Sequence, residues 1–143
     1  EFDNDFANWK NFLNLHCKGE WIFQIDADEI PHENLMKNLP LLLEENPLAD
    51  MIRVPRVNTV EGLTEEHIRR WGWNVNEKGW VNWADWQMRI YKNKSEIKWI
   101  NRVHEVLEGF RIHGMLPIEE EWALYHPKTI DRQEKQNEYY DTL

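Results

Sequence analysis

The chain has 143 residues, of which 41% are hydrophobic and 30% charged, and its formal net charge is −9. That length supports a single domain, residues 1–143, with a core of its own, so neither disulfides nor a structural metal is required for folding. The acidic balance disfavours a sequence-independent grip on nucleic acid or on an anionic membrane.

Cys17 is the only cysteine, which excludes an internal disulfide and a cysteine-rich zinc site and fits a reducing, cytoplasmic compartment. No signal-peptide pattern opens the chain. No apolar run reaches the length of a membrane span; Leu39 to Leu43 is too short and contains Pro40. Tryptophan is the unusual residue, with nine in the chain. Most are expected as packing, and a minority could stack on a sugar or base.

In chain order, Phe2, Phe6, Trp9 and Leu13 recur at helical spacing, with Asp3, Asn4 and Asp5 as cap candidates and Gly19 as a stop. Trp21 to Ile25 is a short β-favouring apolar run that predicts a buried strand. His32 to Glu45 predicts a helix with Leu35, Met36, Leu39, Leu42 and Leu43 inward, broken or kinked at Pro40. Met51 to Val57 predicts a second strand, with Pro55 placing it at an edge or a bulge.

Thr64 opens a short helix running to about Trp71, and 73–83 reads as an ordered loop. Asp85 to Tyr91 alternates polar and apolar as a strand does, and Ile97 to Ile100 returns after a turn. Asn101 to Leu107 alternates again, putting Arg102 and His104 on one face and Glu105 on the other. Trp122 to Tyr125 predicts a last strand before His126-Pro127, and Ile130 to Leu143 a closing helix. The expected fold class is α/β, a mixed sheet flanked by helices.

Chemistry concentrates where Trp21–Ile25 runs out, at Asp26-Ala27-Asp28-Glu29. In extended backbone Asp26 and Asp28 point to one side. Two carboxylates converging there call for a hard divalent cation between them, which typically also takes phosphate oxygens. The competing reading is an acidic turn at a helix start. Gln87, Arg89, the Arg102-Val103-His104-Glu105 segment and His126-Pro127-Lys128 also carry polar groups in or just after predicted strands. Glu105 suits a general base if buried, and is otherwise one more surface acid. His126 is either a packed histidine or a third metal ligand. Arg89 and Arg102 are either salt-bridge partners or binders of a diphosphate.

Taken in order, Trp-Ile-Phe-Gln-Ile-Asp-Ala-Asp-Glu, Gln-Met-Arg-Ile-Tyr, Arg-Val-His-Glu, and a late histidine before a helix with Asn137-Glu138-Tyr139-Tyr140 resemble the family 2 glycosyltransferases of GT-A fold. The resemblance runs from about Phe6 to the C-terminus and implies a truncated or minimal version of that fold. It implies Mn²⁺ or Mg²⁺ held by Asp26 and Asp28, with His126 as a further ligand. It also implies a nucleotide-sugar donor of the UDP-sugar type, a carbohydrate or other hydroxyl acceptor, and an inverting reaction. Glu105 is then the first candidate for the base and Asp85 the second, with Arg102, His104, Arg89, Gln87 and Lys128 around the diphosphate.

The chain departs from the family pattern in lacking the first strand and the Asp-Asp-x-Ser-type segment that bind base and ribose. Nucleotide binding would then be weak, draw on the Trp-rich segment, or be completed by a second copy or another chain. Two other functions compete: a non-catalytic carbohydrate-binding module using exposed tryptophans, and a two-metal phosphoesterase, which calls for more His and Asp ligands than the chain offers.

Overall fold

In the computed structural model, which describes residues 2–143, the predicted strand at Met51 becomes the centre of the sheet. The first strand, β1 (Trp21–Phe23), pairs antiparallel with β4 (Val81–Lys92), and β4 pairs antiparallel with β3 (Met51–Glu61). On its other side β3 runs parallel first to β7 (His113–Met115) and then to β8 (Leu124–Thr129). The two-residue β2 (Ile30–Pro31) closes that side against β8. A separate hairpin joins β5 (Lys98–Ile100) to β6 (Val106–Glu108). The chain is therefore mixed α/β, with a mixed sheet flanked by helices.

Pro55 is fully buried in the middle of the central strand, and not at an edge. It falls between the last β3–β7 pair at Arg53 and the first β3–β8 pair at Arg56, so neither ladder runs through it. The expected bulge exists nearby, as a register shift between Ile52 and Arg53.

Helix α1 (Phe6–Asn14) is capped by Asp5, whose side chain accepts from the Asn8 amide. Asn11 ties it to the hairpin by bracketing Trp99, whose backbone N–H it accepts and whose carbonyl it donates to. The apolar stripe read from the sequence is not its buried face. Ala7 and Lys10 are buried while Phe2, Trp9 and Leu13 are exposed, because the stripe borders an open cleft and not a covered core. Helix α2 (Glu33–Glu45) passes through Pro40 without ending, held by Leu35 and Leu39 beneath the sheet; Met36 is exposed.

The α3 helix (Glu65–Trp71) has the expected Thr64 cap and stops at Gly72 in the left-handed region. The last helix, α4 (Ile130–Asp141), follows β8 directly. The strand expected over 101–107 does not form: Asn101 and His104 adopt positive φ (73° and 53°), and regular pairing begins only at Val106. Gly109 follows β6 at the open end of the hairpin with φ 87°, where a Cβ would lie 1.7 Å from the Glu96 carbonyl oxygen, so a side chain has no room. Among the described residues no helix is long and apolar enough to cross a membrane.

Candidate active-site cleft

The strand β1 ends at Phe23, two residues earlier than its apolar run suggests; Gln24 still donates its N–H to the Arg89 carbonyl, and a turn closed by the Glu29 N–H on the Asp26 carbonyl follows. Asp26 and Asp28 therefore sit in a turn and not on one side of extended backbone, and their carboxylates go to different partners. Asp26 accepts from Arg89 Nη2 at 3.0 Å and from Gln24 Nε2 at 2.7 Å. Asp28 Oδ2 lies 3.0 Å from His126 Nε2 and accepts from Arg132 Nη2 at 2.9 Å.

Beneath this turn Glu29 is fully buried. Its carboxylate accepts from the Asp26 backbone N–H, from Arg89 Nε and Nη2, and from Arg56 Nη1, all between 2.9 and 3.1 Å. Burial pushes its pKa up, yet the two guanidiniums and the backbone N–H outweigh that and hold it below the ordinary value. The third acid of the motif is thus the anchor of the turn.

A cleft of about 1100 Å³ opens above it. Its lining combines apolar side chains (Phe6, Trp9, Leu13, Trp86, Met88 and Trp99) with charged and polar ones. Asp26, Asp28, Gln87, Arg89, His104, Glu105, His126 and Lys128 all line this one space. Asp85 and Arg102 do not. Asp85 accepts from Arg56, Asn58 and Gln87, which occupies both its oxygens. Arg102 donates to the carbonyls of Asp3 and Asn4 and holds the chain before α1.

Glu105 reaches the cleft only half-buried, and its partner comes from the opposite end of the chain. Lys10 Nζ stands 2.6 Å from its Oε1 and 4.4 Å from the centre of the Trp99 ring. Lys10, Arg56 and Arg132 were not among the candidates read from the sequence. An inward arginine within an apolar strand was a usable signal for Arg56; nothing local marks a lysine on an aromatic helix as buried.

The His126 ring carries the most informative geometry. Asn58 donates its amide N–H to Asp85 at 2.7 Å, so its oxygen faces His126 Nδ1 at 2.8 Å and needs a proton there. Burial, then the charges of Arg56 and Lys128, lower the imidazole pKa more than Asp28 raises it. Burial also works to raise the Asp28 pKa, but His126 and Arg132 bring it below the ordinary carboxylate value. When the ring carries a proton on Nε2 it donates to Asp28 at 3.0 Å; when it does not, the Nε2 lone pair faces an ionised carboxylate. In that second state a cation between them, a proton or a metal ion, holds the two acceptors together.

That separation fits a divalent ion. Adjacent ligands of six-coordinate Mg²⁺, with bonds near 2.1 Å, lie about 3.0 Å apart. Asp28 and His126 are so placed, and Asp26 would join them only by releasing Arg89. Among the described residues no group of three or more His, Cys, Asp or Glu side chains is arranged to hold a metal. Two protein ligands suffice for an ion that keeps waters and substrate oxygens. Of the nine tryptophans only Trp9 is exposed, and it lines the cleft.

No protein-family model matches the chain, and no curated protein matches it significantly.

Proposed function

We propose that the chain is a metal-dependent glycosyltransferase domain of GT-A type, or the metal- and diphosphate-binding part of one. It would move a sugar from a nucleotide-sugar donor of UDP type to an acceptor hydroxyl with inversion. The observation that carries this reading is the cleft that brings Asp26, Asp28, His126 and Glu105 together, with Asp28 Oδ2 and His126 Nε2 3.0 Å apart. The order of the motifs along the chain supports it.

Asp28 and His126 would hold Mn²⁺ or Mg²⁺, which as a Lewis acid would stabilise charge on the departing diphosphate. Arg132, already on Asp28, adds a cation beside that diphosphate. In the same cleft Glu105 takes the proton of the acceptor hydroxyl. The freed oxygen bonds to the anomeric carbon as the bond from that carbon to the diphosphate oxygen breaks. The electron pair leaves with the nucleoside diphosphate, and inversion follows from attack on the opposite face. Glu29 and Asp85, outside the cleft lining, position this machinery through Arg56 and Arg89.

The test is thermal denaturation with UDP and other nucleoside diphosphates, each with and without Mn²⁺. A nucleoside diphosphate present at 100 times its Kd stabilises by about 2.7 kcal/mol, and only in the presence of metal. Asp28→Ala should remove that stabilisation. An Asp28→Ala protein that responds to metal and nucleotide as the parent does would end the assignment.

A further inference from the structure

A second groove of about 530 Å³ adjoins the cleft, and the two share Lys128 and Arg132 on their walls. Its charged lining is Lys78, Lys128 and Arg132 against Glu61 alone, a positive surface on a protein of net charge −9. The cations differ in how they are satisfied. Arg132 is engaged by Asp28, whereas among the described residues no carboxylate pairs with Lys128 or Lys78.

Lys128 is the informative one, because it is half-buried. Its ammonium donates only to the neutral amide oxygens of Gln133 and Gln136. The nearby acids are committed elsewhere, Asp28 to His126 and Arg132, Asp85 to Arg56. Lys78 faces the same groove from the turn before Trp80, with its ammonium 4.7 Å from the centre of that indole. A desolvated ammonium beside neutral acceptors is stabilised by an anion supplied from outside. The volume lies within the range of small-molecule sites.

We infer that the Lys78–Lys128 groove is a metal-independent site for the phosphate of a sugar phosphate. Its name as an acceptor site, though not the anion site itself, rests on the glycosyl-transfer reading. Because Lys128 and Arg132 border both spaces, a sugar held by its phosphate in the groove presents its hydroxyls to the cleft.

Titration calorimetry in phosphate-free buffer with EDTA tests it, using inorganic phosphate, glucose 6-phosphate and glucose. The parent should bind the first two and not glucose. Lys128→Met keeps the aliphatic stem and should weaken both ~10-fold or more, the scale of one charge-assisted hydrogen bond. Lys78→Ala, at an exposed position, should weaken both several-fold and leave metal-dependent nucleoside diphosphate binding unchanged. No phosphate binding by the parent, or equal binding by both variants and the parent, overturns the site. Phosphate binding retained in a protein that never binds a nucleoside diphosphate would keep the anion site and overturn its role as an acceptor site.

Discussion

Glu29→Ala is expected to destabilise the fold by about 3–5 kcal/mol, the usual cost of removing one partner of a buried ion pair. Denaturant unfolding would read it as a lower midpoint at unchanged slope. The expectation follows from where the charges are left. Arg89 is buried and Arg56 mostly so, and Glu29 is the carboxylate they share. Asp85 still neutralises Arg56 and Asp26 still meets Arg89, but the Asp26 backbone N–H loses its acceptor. The turn carrying Asp26 and Asp28 would loosen before the sheet does. Glu29→Gln, with the same shape and no charge, should fall between the two.

The same carboxylate sets an acid limit. Its folded pKa lies below the unfolded reference of 4.5, so its stabilisation is complete above that pH and is lost as pH falls through the folded value. Asp28, depressed from 3.8, acts in the same direction. Stability measured from pH 6 down to 2 should fall less steeply in Glu29→Gln than in the parent. Matching pH slopes, together with an unchanged midpoint for Glu29→Ala, would remove Glu29 as the anchor.

Glu105→Gln should lower sugar transfer by ~10²–10⁴-fold, the usual contribution of a positioned general base, and leave metal-dependent nucleoside diphosphate binding intact. Binding survives because Glu105 hydrogen-bonds to neither Asp28 nor His126; its partner is Lys10. The substitution costs Lys10 its 2.6 Å partner, but the ammonium keeps its place against the Trp99 ring and 3.9 Å from Asp26. Parallel assays of turnover and of nucleotide binding separate the two effects. Undiminished turnover would take Glu105 out of the mechanism, and lost binding would make it a positioning residue.

Much of the architecture was legible because it is written in short-range patterns. Residues 51–57 and 85–91 announce strands by their side chains, and both strands form and extend further, to Glu61 and from Val81. Thr64 and Ile130 mark helix starts that the structure keeps. The failures share one cause. Asn101 to Leu107 has strand alternation, but two residues at positive φ bend it, and alternation carries no information about φ. The Phe6–Trp9–Leu13 stripe has helical period, but period says that one face differs from another, not what that face meets.

By itself the sequence determined the class and order of the longer elements, the absence of an internal disulfide, and the four segments in which polar groups outnumber what packing requires. Tertiary structure alone decided which charges meet. Glu29 and Arg89 are 60 residues apart, Lys10 and Glu105 are 95, and Asp28 and His126 are 98. Backbone period reports on neighbours a few residues away, whereas an ion pair depends on which strands lie side by side. Setting β8 parallel to β3 puts His126 opposite Asn58, and so turns its free nitrogen toward Asp28.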